Sequence, residues 1–515
     1  MNGADTLCDV LLANKVDVCF ANPGTSEMHF VAALDRKPQM RCILGLFEGV
    51  VTAAADGYGR MADRPAATLL HLGPGLANGL ANLHNARRAR TPMINIVGDH
   101  ATFHLEHDAP LTTDIESLAR PMSQWVGRVA DAQDVRRCTE AAYLAAMRMP
   151  GISTMILPAD AAWTNVTPGI EVPIDLPPLS AIAPEKLRAA ADLLRGRKAA
   201  IILGGKAMRG EALRMAGRIA KARGIPLFSH NASRMERGAG RVAVRPIPYN
   251  VDQAVRTLAG FEAVVCIGAR SPVAFFAYPG KPGTLLPTGC AAVELAGDEH
   301  DYVSVLEELT VELGVAINAP FDTNSLTTRD LPLPSGKLDP DTLTMALARF
   351  LPENAILCDE SISSAGRMAE LAPFAPPHDL LRLTGGAIGI GIPLSVGAAV
   401  ACPDRKVIVL QADGSGMYTA QGLWTQAREN LDILTIVLAN RGYSILKGEM
   451  RNVGVNEFGR NARLMLEVDN PAIDWCSLAK GMGVEAGRAE TVEEFVSLLR
   501  AGMARRGPFL IEAVL

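Results

Sequence analysis

Short apolar runs alternate with longer amphipathic stretches along almost the whole chain. In the first third, the runs are rich in Val, Ile, Leu and Phe, and the intervening polar and apolar positions recur at helical spacing. The apolar runs there are residues 17–23, 40–47, 66–72, 92–98 and 153–158. Because buried strands separated by helices form βαβ units, the pattern predicts an α/β protein with mainly parallel sheets.

Two proline-rich segments, residues 172–186 and 327–341, interrupt this alternation and are typical of linkers. They predict three doubly wound domains of similar size, over residues 1–168, 182–325 and 335–515. The strands expected in the second and third domains are residues 199–205, 225–230, 263–269, 291–297, 355–360, 406–413, 432–440 and 508–514.

The composition adds few constraints beyond those of a globular protein. Charged residues make up 20% and apolar residues 49% of the chain, and no apolar run approaches the roughly 18 residues of a membrane span. The N-terminus lacks the pattern of a secretory signal, so we expect a cytoplasmic protein without membrane contact. A net charge of -5 gives no reason to expect nucleic acid binding. Nine cysteines without a C-x-x-C pair favour reduced thiols.

The strongest chemical signal lies between residues 406 and 444. A strand ends at Asp413-Gly414-Ser415, a helix of about ten residues is expected next, and a second strand ends at Asn440. A right-handed crossover would bring Asp413 and Asn440 to the same carboxyl edge of a sheet, where such sheets bind ligands. Their oxygens suit Mg²⁺, which commonly completes its shell with phosphate, and Gly414 and Ser415 suit a phosphate at a helix start.

This segment resembles the diphosphate motif of thiamine-diphosphate enzymes typified by acetolactate synthase and benzoylformate decarboxylase. In that family Gly-Asp-Gly-Ser is followed, one helix and one strand later, by Asn-Asn; here Ala412 and Ala439 replace a Gly and an Asn. The resemblance implies that Asp413, Asn440 and the Gly442 carbonyl bind Mg²⁺.

Three further segments carry the same resemblance. Residues 48–65 resemble the catalytic-glutamate helix, 22–27 a turn facing the cofactor, and 384–393 the pyrimidine-binding segment. The resemblance implies that Glu48 activates the cofactor by a hydrogen bond to its pyrimidine ring, while Ile388 supports the bent cofactor. The implied cofactor-binding residues are Pro23, Gly24, Ser361, Ser363, Gly386, Ile388, Asp413, Gly414, Ser415, Asn440, Gly442, Tyr443 and Ser444. Each motif alone also fits an ordinary turn, cap or helix-packing site, so their combination carries the interpretation.

The substrate side is less constrained. His71 matches a catalytic histidine of benzoylformate decarboxylase, and His107 lies near a histidine pair of pyruvate decarboxylase, so either is a candidate proton relay beside Glu48. The candidate substrate-binding residues are Thr25, His71, Leu446 and Glu449. Residues 272–278 contain no histidine where benzoylformate decarboxylase has a second one. Gly98-Asp99 replaces the usual Gly-Gln of acetolactate synthases, and no flavin-contacting element is found, so we do not expect FAD.

The resemblance implies a thiamine-diphosphate and Mg²⁺-dependent 2-oxo acid decarboxylase or carboligase, a lyase or transferase. Its enamine intermediate would be protonated or transferred to a second carbonyl. One alternative is a lyase that cleaves an acyloin or a 2-hydroxyacyl thioester, and another is an inactive binding or regulatory homologue. Of the three predicted domains, the first would bind the pyrimidine ring of the cofactor, the second would be the central domain, and the third would bind the Mg²⁺ diphosphate. The family also implies a homodimer at least, and usually a homotetramer.

Overall fold

The computed structural model describes residues 1–196, 198–364 and 366–515. Three mainly parallel sheets follow one another along the chain with helices between their strands, which confirms the predicted α/β class. The first sheet has the order β2-β1-β3-β4-β6-β5, and all its pairings are parallel. Its strands are β1 (Val18–Asn22), β2 (Arg41–Leu44), β3 (Ala66–Leu70), β4 (Met93–Asp99), β5 (Trp125–Arg128) and β6 (Ile152–Pro158).

The second sheet has the order β10-β8-β7-β11-β12, and the third has the order β17-β18-β16-β15-β13-β14-β9. Their strands are β7 (Ala199–Leu203), β8 (Leu227–Ser229), β9 (Arg234–Arg237), β10 (Arg245–Pro246), β11 (Ala263–Ile267), β12 (Ala291–Ala296), β13 (Ile356–Glu360), β14 (His378–Arg382), β15 (Val407–Ala412), β16 (Ile433–Ala439), β17 (Glu485–Ala489) and β18 (Phe509–Val514). Strand β9 lies between β8 and β10 in sequence, yet it pairs antiparallel with β14 at the edge of the third sheet. The domain limits themselves stay a prediction.

Helices cover the faces of these sheets. The α-helices are α1 (Gly3–Ala13), α2 (Met28–Asp35), α3 (Glu48–Ala62), α4 (Leu72–Ala89), α5 (Ile115–Ala119), α6 (Val135–Arg148), α7 (Ala159–Trp163), α8 (Pro184–Gly196), α9 (Gly210–Arg223), α10 (Val251–Leu258), α11 (Tyr302–Glu312), α12 (Pro340–Phe350), α13 (Met368–Leu371), α14 (Gly391–Ala401), α15 (Asp413–Gly416), α16 (Gly422–Arg428), α17 (Ser444–Asn452), α18 (Arg460–Leu466), α19 (Trp475–Gly481) and α20 (Val492–Ala504). Among the described residues, no helix combines the length and the apolar character that crossing a membrane requires.

Helices α3 and α14 pack face to face between the first and third sheets. A Cβ on Gly57 would lie 2.0 Å from the Leu394 carbonyl oxygen, and one on Gly397 would lie 1.8 Å from the Ala54 carbonyl oxygen. Only glycine allows the two backbones to approach so closely. Both helices are almost completely buried, so this crossing fixes the position of Glu48 at the start of α3.

One local prediction was wrong. The single helix of about ten residues expected after Asp413 is instead two short helices, α15 and α16, separated by a turn. Glycines at 414, 416 and 422 weaken helix formation there. The turn brings Thr419 next to a glycine-rich segment, residues 385–391, where its hydroxyl donates to the Gly389 carbonyl oxygen at 2.7 Å.

Candidate active site

Glu48 is the first residue of α3 and lies at the carboxyl edge of the first sheet. Its side chain is buried, and its Oε2 accepts a hydrogen bond from Asn78 Nδ2 at 2.9 Å. A Cβ on Gly75 would lie 3.0 Å from Glu48 Oε1 and 3.2 Å from His71 Cβ, so the two side chains are neighbours. The helix N-terminus favours the carboxylate. Asn78 was not singled out from the sequence, because nothing in its helical context marks it.

His71 is held by a buried carboxylate that sequence reasoning missed. Its Nδ1 lies 2.8 Å from Glu27 Oε2, which also accepts from the Gly24 backbone N–H at 2.8 Å. Ser26 Oγ donates to Glu27 Oε1 at 2.7 Å. A Cβ on Gly24 would lie 2.1 Å from His71 Nδ1, so only glycine leaves room for the ring. The signal that could have revealed Glu27 is its place in the turn already expected to face the cofactor.

The remaining candidates of the N-terminal third are more exposed. Thr25 begins a 3₁₀ helix, Thr25–Glu27, and Pro23 precedes it half-buried. His107 ends a separate 3₁₀ helix, its side chain is 62% exposed, and it lies 3.9 Å from Glu106. The structure therefore gathers Glu48, His71 and Glu27 at one sheet edge and places His107 on an exposed segment.

Asp413 and Asn440 lie at the ends of β15 and β16, which are neighbouring parallel strands. Asp413 Oδ2 accepts from the Arg441 N–H at 2.6 Å, and Oδ1 accepts from the Gly414 N–H at 2.8 Å. Burial raises the pKa of the Asp413 carboxyl, and the backbone N–H groups of Gly414 and Arg441 act in the opposite direction. A cation at this edge would stabilise the ionised form.

Asn440 connects the loops around this carboxylate. Its Oδ1 accepts from the Gly442 N–H at 3.1 Å, and its Nδ2 donates to Ser364 Oγ at 3.0 Å and to Ser444 Oγ at 3.3 Å. Ser364 was missed, since the sequence pattern pointed to its neighbours. Of those, Ser361 is buried with its hydroxyl on Asp359 Oδ1 at 2.5 Å, and Ser363 is exposed. The remaining phosphate candidates are also close by: a Cβ on Gly414 would lie 2.7 Å from the Tyr443 ring, and Ser415 is buried.

The glycine-rich segment 385–391 runs beside this edge and is anchored to α4. Asn85 Oδ1 accepts from the N–H groups of Gly385 at 3.2 Å and Ala387 at 3.3 Å, and Asn85 Nδ2 donates to the Ala387 carbonyl oxygen at 2.7 Å. Gly386 is exposed and Ile388 is half-buried. Both groups that the resemblance assigns to the pyrimidine are thus accessible from solvent.

Aromatic side chains from the central segment, residues 182–325, lie near the glycine-rich segment and α17. A Cβ on Gly386 would lie 2.8 Å from Phe275 Cζ, so the edge of the phenyl ring lies next to this exposed glycine. Glu449, on α17, accepts from the Tyr278 hydroxyl at 2.8 Å and from the Tyr249 hydroxyl at 3.3 Å. Glu449 therefore joins α17 to the central segment, while Leu446 on the same helix is exposed.

Comparisons with known proteins agree with this geometry. Residues 1–118 match the N-terminal TPP binding domain of thiamine pyrophosphate enzymes, and residues 363–513 match the C-terminal TPP binding domain. The solved structure of the thiamine diphosphate-dependent 4-hydroxybenzoylformate decarboxylase of Rhodococcus jostii RHA1 superposes with a TM-score of 0.86 at 24% identity, over 99% of this chain and 98% of that chain. That likeness shows the shared fold.

Two relatives extend over the whole chain. The Mycobacterium tuberculosis protein named "Putative acetolactate synthase large subunit IlvX" is 48% identical over 100% of this chain and 99% of its own length. Benzoylformate decarboxylase of Pseudomonas aeruginosa is 29% identical over 98% of this chain and 97% of its own length. The matched domains, the end-to-end identity and the paired sheet edges lead to one conclusion: this chain belongs to the thiamine pyrophosphate enzyme family, among relatives named acetolactate synthase large subunit and benzoylformate decarboxylase.

Proposed function

We propose that the protein is a thiamine-diphosphate and Mg²⁺-dependent decarboxylase or carboligase acting on a 2-oxo acid. The observation that carries the proposal is the paired arrangement of Asp413 and Asn440, with hard oxygen donors at one sheet edge. A buried Glu48 lies beside His71 at the edge of another sheet, where the two residues would activate the cofactor and transfer protons. The substrate would be a small molecule.

The donor set fits a magnesium diphosphate. Carboxylate, amide and carbonyl oxygens of Asp413, Asn440 and Gly442 are ligands that Mg²⁺ accepts, and phosphate oxygens commonly complete its shell. Asp413 is buried without a cationic side chain at ion-pair distance among the described residues, so a metal ion would offset the cost of that burial. Gly414, Ser415, Tyr443 and Ser444 would surround the diphosphate. FAD is not part of this proposal.

Thiamine diphosphate, when bound, supplies an electron sink for the charge that remains after a carboxylate leaves. The role of Glu48 is to hold a proton against the far nitrogen of the cofactor's pyrimidine ring. Asn78 Nδ2 donates a hydrogen bond to Glu48 Oε2 at 2.9 Å, so Glu48 Oε1 is the oxygen that remains for the pyrimidine ring. On the opposite side of the pyrimidine, the Gly386 carbonyl oxygen would accept from the amino group, and Ile388 would exclude water beneath it.

His71 is the residue that we assign to proton transfer with the substrate. Glu27 accepts the Nδ1 proton of His71, which leaves Nε2 to give a proton to, or take one from, the reacting carbon or oxygen. The Glu27 carboxylate fixes both the tautomer and the orientation of the ring. We prefer His71 to His107 because His71 adjoins Glu48, whereas the His107 side chain is 62% exposed.

The substrate pocket that we propose is more apolar than one with a second histidine. Phe275 lies next to Gly386, in the stretch where benzoylformate decarboxylase carries that histidine. The rim of the substrate pocket would be completed by Thr25, Leu446 and Glu449, which accepts from the hydroxyls of Tyr249 and Tyr278. Fewer proton donors at this wall would favour the transfer of the acyl group to a second carbonyl over its release as an aldehyde.

One experiment tests the reaction class. Purified protein would be incubated with thiamine diphosphate, Mg²⁺ and a panel of 2-oxo acids, with and without acceptor aldehydes, while CO₂ and product masses are recorded. Release of CO₂ with an aldehyde or an acyloin supports the proposal. Cleavage of an acyloin or a 2-hydroxyacyl thioester without CO₂ would favour a lyase, and no turnover of any compound would favour an inactive homologue.

Glu48→Gln sharpens the test. The amide cannot replace the carboxyl group in proton transfer, so turnover should fall by at least about 10²-fold while calorimetry still detects cofactor binding. Glu353→Gln, which changes an exposed glutamate, is the matched control and should keep full turnover. Near-normal turnover of Glu48→Gln would contradict the mechanism.

A further inference from the structure

Glu360 is a fully buried carboxylate at the end of β13, held by backbone groups alone on the side facing the glycine-rich segment. Its Oε1 accepts from the Gly389 N–H at 2.5 Å, and its Oε2 accepts from the Gly391 N–H at 2.5 Å. Its exposed fraction is 0%, and within the described ranges no Lys, Arg or His lies at ion-pair distance. Each oxygen thus accepts from a backbone N–H of the same short segment.

The start of α14 makes this burial tolerable. Gly391 is the first residue of that helix, where free N–H groups and the helix dipole favour a negative charge. Burial nevertheless raises the pKa of Glu360, against the opposite effect of the Gly389 and Gly391 N–H groups. An apolar side chain would occupy this space at a lower cost in free energy.

Gln411 extends the contact to the diphosphate motif. It lies directly opposite Glu360 in the β13–β15 pairing and is fully buried. Its Oε1 accepts from the Ile392 N–H at 3.2 Å, and its Nε2 donates to Ser415 Oγ at 2.7 Å. Gln411 therefore joins the first turn of α14 to the short helix α15, which carries Asp413 and Ser415.

The same segment is held at its other end by Asn85, through Gly385 and Ala387. Ile388 lies between the two anchors and is half-buried. With Asn85 at one end and Glu360 at the other, the backbone between residues 385 and 391 has little freedom. Its shape decides where the Gly386 carbonyl oxygen and the Ile388 side chain point.

We propose that Glu360 is a positioning residue, which fixes segment 385–391 so that Gly386 and Ile388 receive the pyrimidine ring of the cofactor in one orientation. The assignment rests on the proposed function. It adds a residue that touches neither metal nor substrate and acts through the backbone that it holds.

Glu360→Gln is the first test. The amide retains the size of the side chain, but its NH₂ group must face one of the two N–H donors, which leaves that donor without an acceptor. We expect the Kd for thiamine diphosphate with Mg²⁺, measured by calorimetry, to rise roughly 10- to 100-fold. At saturating cofactor, deuterium exchange at the thiazolium C2, followed by NMR, should slow by about tenfold because the bent form is less well held.

Glu512→Gln is the matched control. Glu512 is also buried in the third sheet, on β18, where it accepts from the Cys476 N–H at 3.3 Å and from Arg488. Its replacement should lower the melting temperature while leaving the cofactor Kd and the C2 exchange rate within about twofold of wild type. A general loss of stability would move the melting temperatures of both variants but not the exchange rate.

Glu360→Asp provides a second variant if the Gln variant does not fold. It keeps the charge but is too short to hold both N–H groups, so its Kd and exchange rate should lie between those of wild type and of Glu360→Gln. Wild-type Kd and wild-type exchange in a folded Glu360 variant would overturn the assignment. Absence of thiamine diphosphate binding to the wild-type protein would instead overturn the proposed function.

Discussion

At the scale of single residues, Glu27 controls what His71 can do. The carboxylate lies 2.8 Å from His71 Nδ1 and is itself fixed by the Gly24 N–H and by Ser26 Oγ. We predict that Glu27→Gln lowers kcat by about 10²-fold, because the neutral amide cannot stabilise a protonated His71 ring and its single oxygen cannot serve His71, Gly24 and Ser26 together. Steady-state kinetics with the preferred 2-oxo acid measure the effect.

Measuring the thiamine diphosphate Kd of the same variant separates an effect on the orientation of His71 from an effect on cofactor binding. Glu27 has no hydrogen bond to Asp413, Asn440 or their loops among the described residues and reaches the proposed cofactor site only through the Gly24 N–H, so Glu27→Gln should change the thiamine diphosphate Kd far less than it changes kcat. His300→Gln changes a histidine of the central segment and serves as the control, with unaltered kcat. A Glu27→Gln enzyme with wild-type kcat and an unshifted pH–rate profile would remove Glu27 and His71 from the mechanism.

Phe275 gives a second prediction at this scale, about substrate preference. The edge of its ring lies next to Gly386, and its neighbour Phe276 packs against it with ring centroids 4.9 Å apart. Phe275→Ala should lower kcat/KM for a bulky 2-oxo acid such as phenylglyoxylate about tenfold relative to pyruvate, because the apolar wall is lost. Phe276→Ala is the matched control. Equal changes for both variants, or none for Phe275→Ala, would contradict the assignment.

The sequence predicts some of these residues and not others for a clear physical reason. Glu48 is the first residue of α3, and Asp413 and Asn440 directly follow the buried strands β15 and β16, so a local pattern marks all three. Glu27 and Glu360 acquire their surroundings from distant segments, through His71 and through Gly389, so no local pattern can reveal their partners. The roles assigned to all five stay predictions.

At the scale of elements, strands with an apolar run were predictable and strands rich in polar residues were not. The central strands β7 and β11 are continuous apolar runs, and β15 and β16 have one polar residue each, Gln411 and Thr435; the sequence predicts all four. Strands β5 and β17 have intermediate or exposed positions and were missed. Pairing of β9 with the third sheet joins segments far apart in sequence, which local patterns cannot anticipate.

An ion-pair network secures that long-range pairing. On β14, Asp379 accepts from Arg234 Nε of β9 at 2.9 Å and from Arg405 Nη2 at 2.7 Å. Burial acts to raise the pKa of Asp379, but the two guanidinium groups hold it below 3.8. We predict that Asp379→Asn lowers the free energy of unfolding at neutral pH by about 1–3 kcal/mol, because two partly buried guanidinium groups lose their counter-charge. Urea denaturation measures the difference.

The pH dependence of this effect has a definite sign. A depressed folded-state pKa contributes stability above the unfolded value of 3.8, and that contribution is lost as the pH falls through the folded value. The gap between wild type and Asp379→Asn should therefore shrink when the pH is lowered from 7 to about 3. Asp404→Asn, at an exposed aspartate on the same sheet edge, should change little at either pH. A gap independent of pH would show that packing, not charge, is lost.

At the scale of the whole molecule, the two halves of the site belong to different sheets. Glu48 contacts Asn78 and Gly75 of the first α/β unit, whereas Asp413 contacts the Gly414 and Arg441 backbone of the third. Exposed apolar side chains lie on segments that contact the second half: Tyr418, 55% exposed, is next to Gly389, and Leu464 and Met465, 67% and 76% exposed, precede Leu466, whose carbonyl oxygen accepts from the Tyr443 N–H at 2.8 Å. Such a patch beside a site suits a subunit contact. We therefore propose a homodimer as the minimum active unit, with a homotetramer as a further expectation.

Complementation between two inactive variants tests whether Glu48 of one copy meets Asp413 of another. Glu48→Gln and Asp413→Ala should each be inactive alone, the second because it no longer binds the Mg²⁺ diphosphate. In a mixed dimer, a shared site would combine the intact Asp413 of one subunit with the intact Glu48 of its partner, and the other site would carry both changes. Equal mixing after subunit exchange should thus restore about a quarter of wild-type turnover, since about half the dimers are mixed and each has one intact site. Sites built within single chains would restore none, although light scattering still reported dimers.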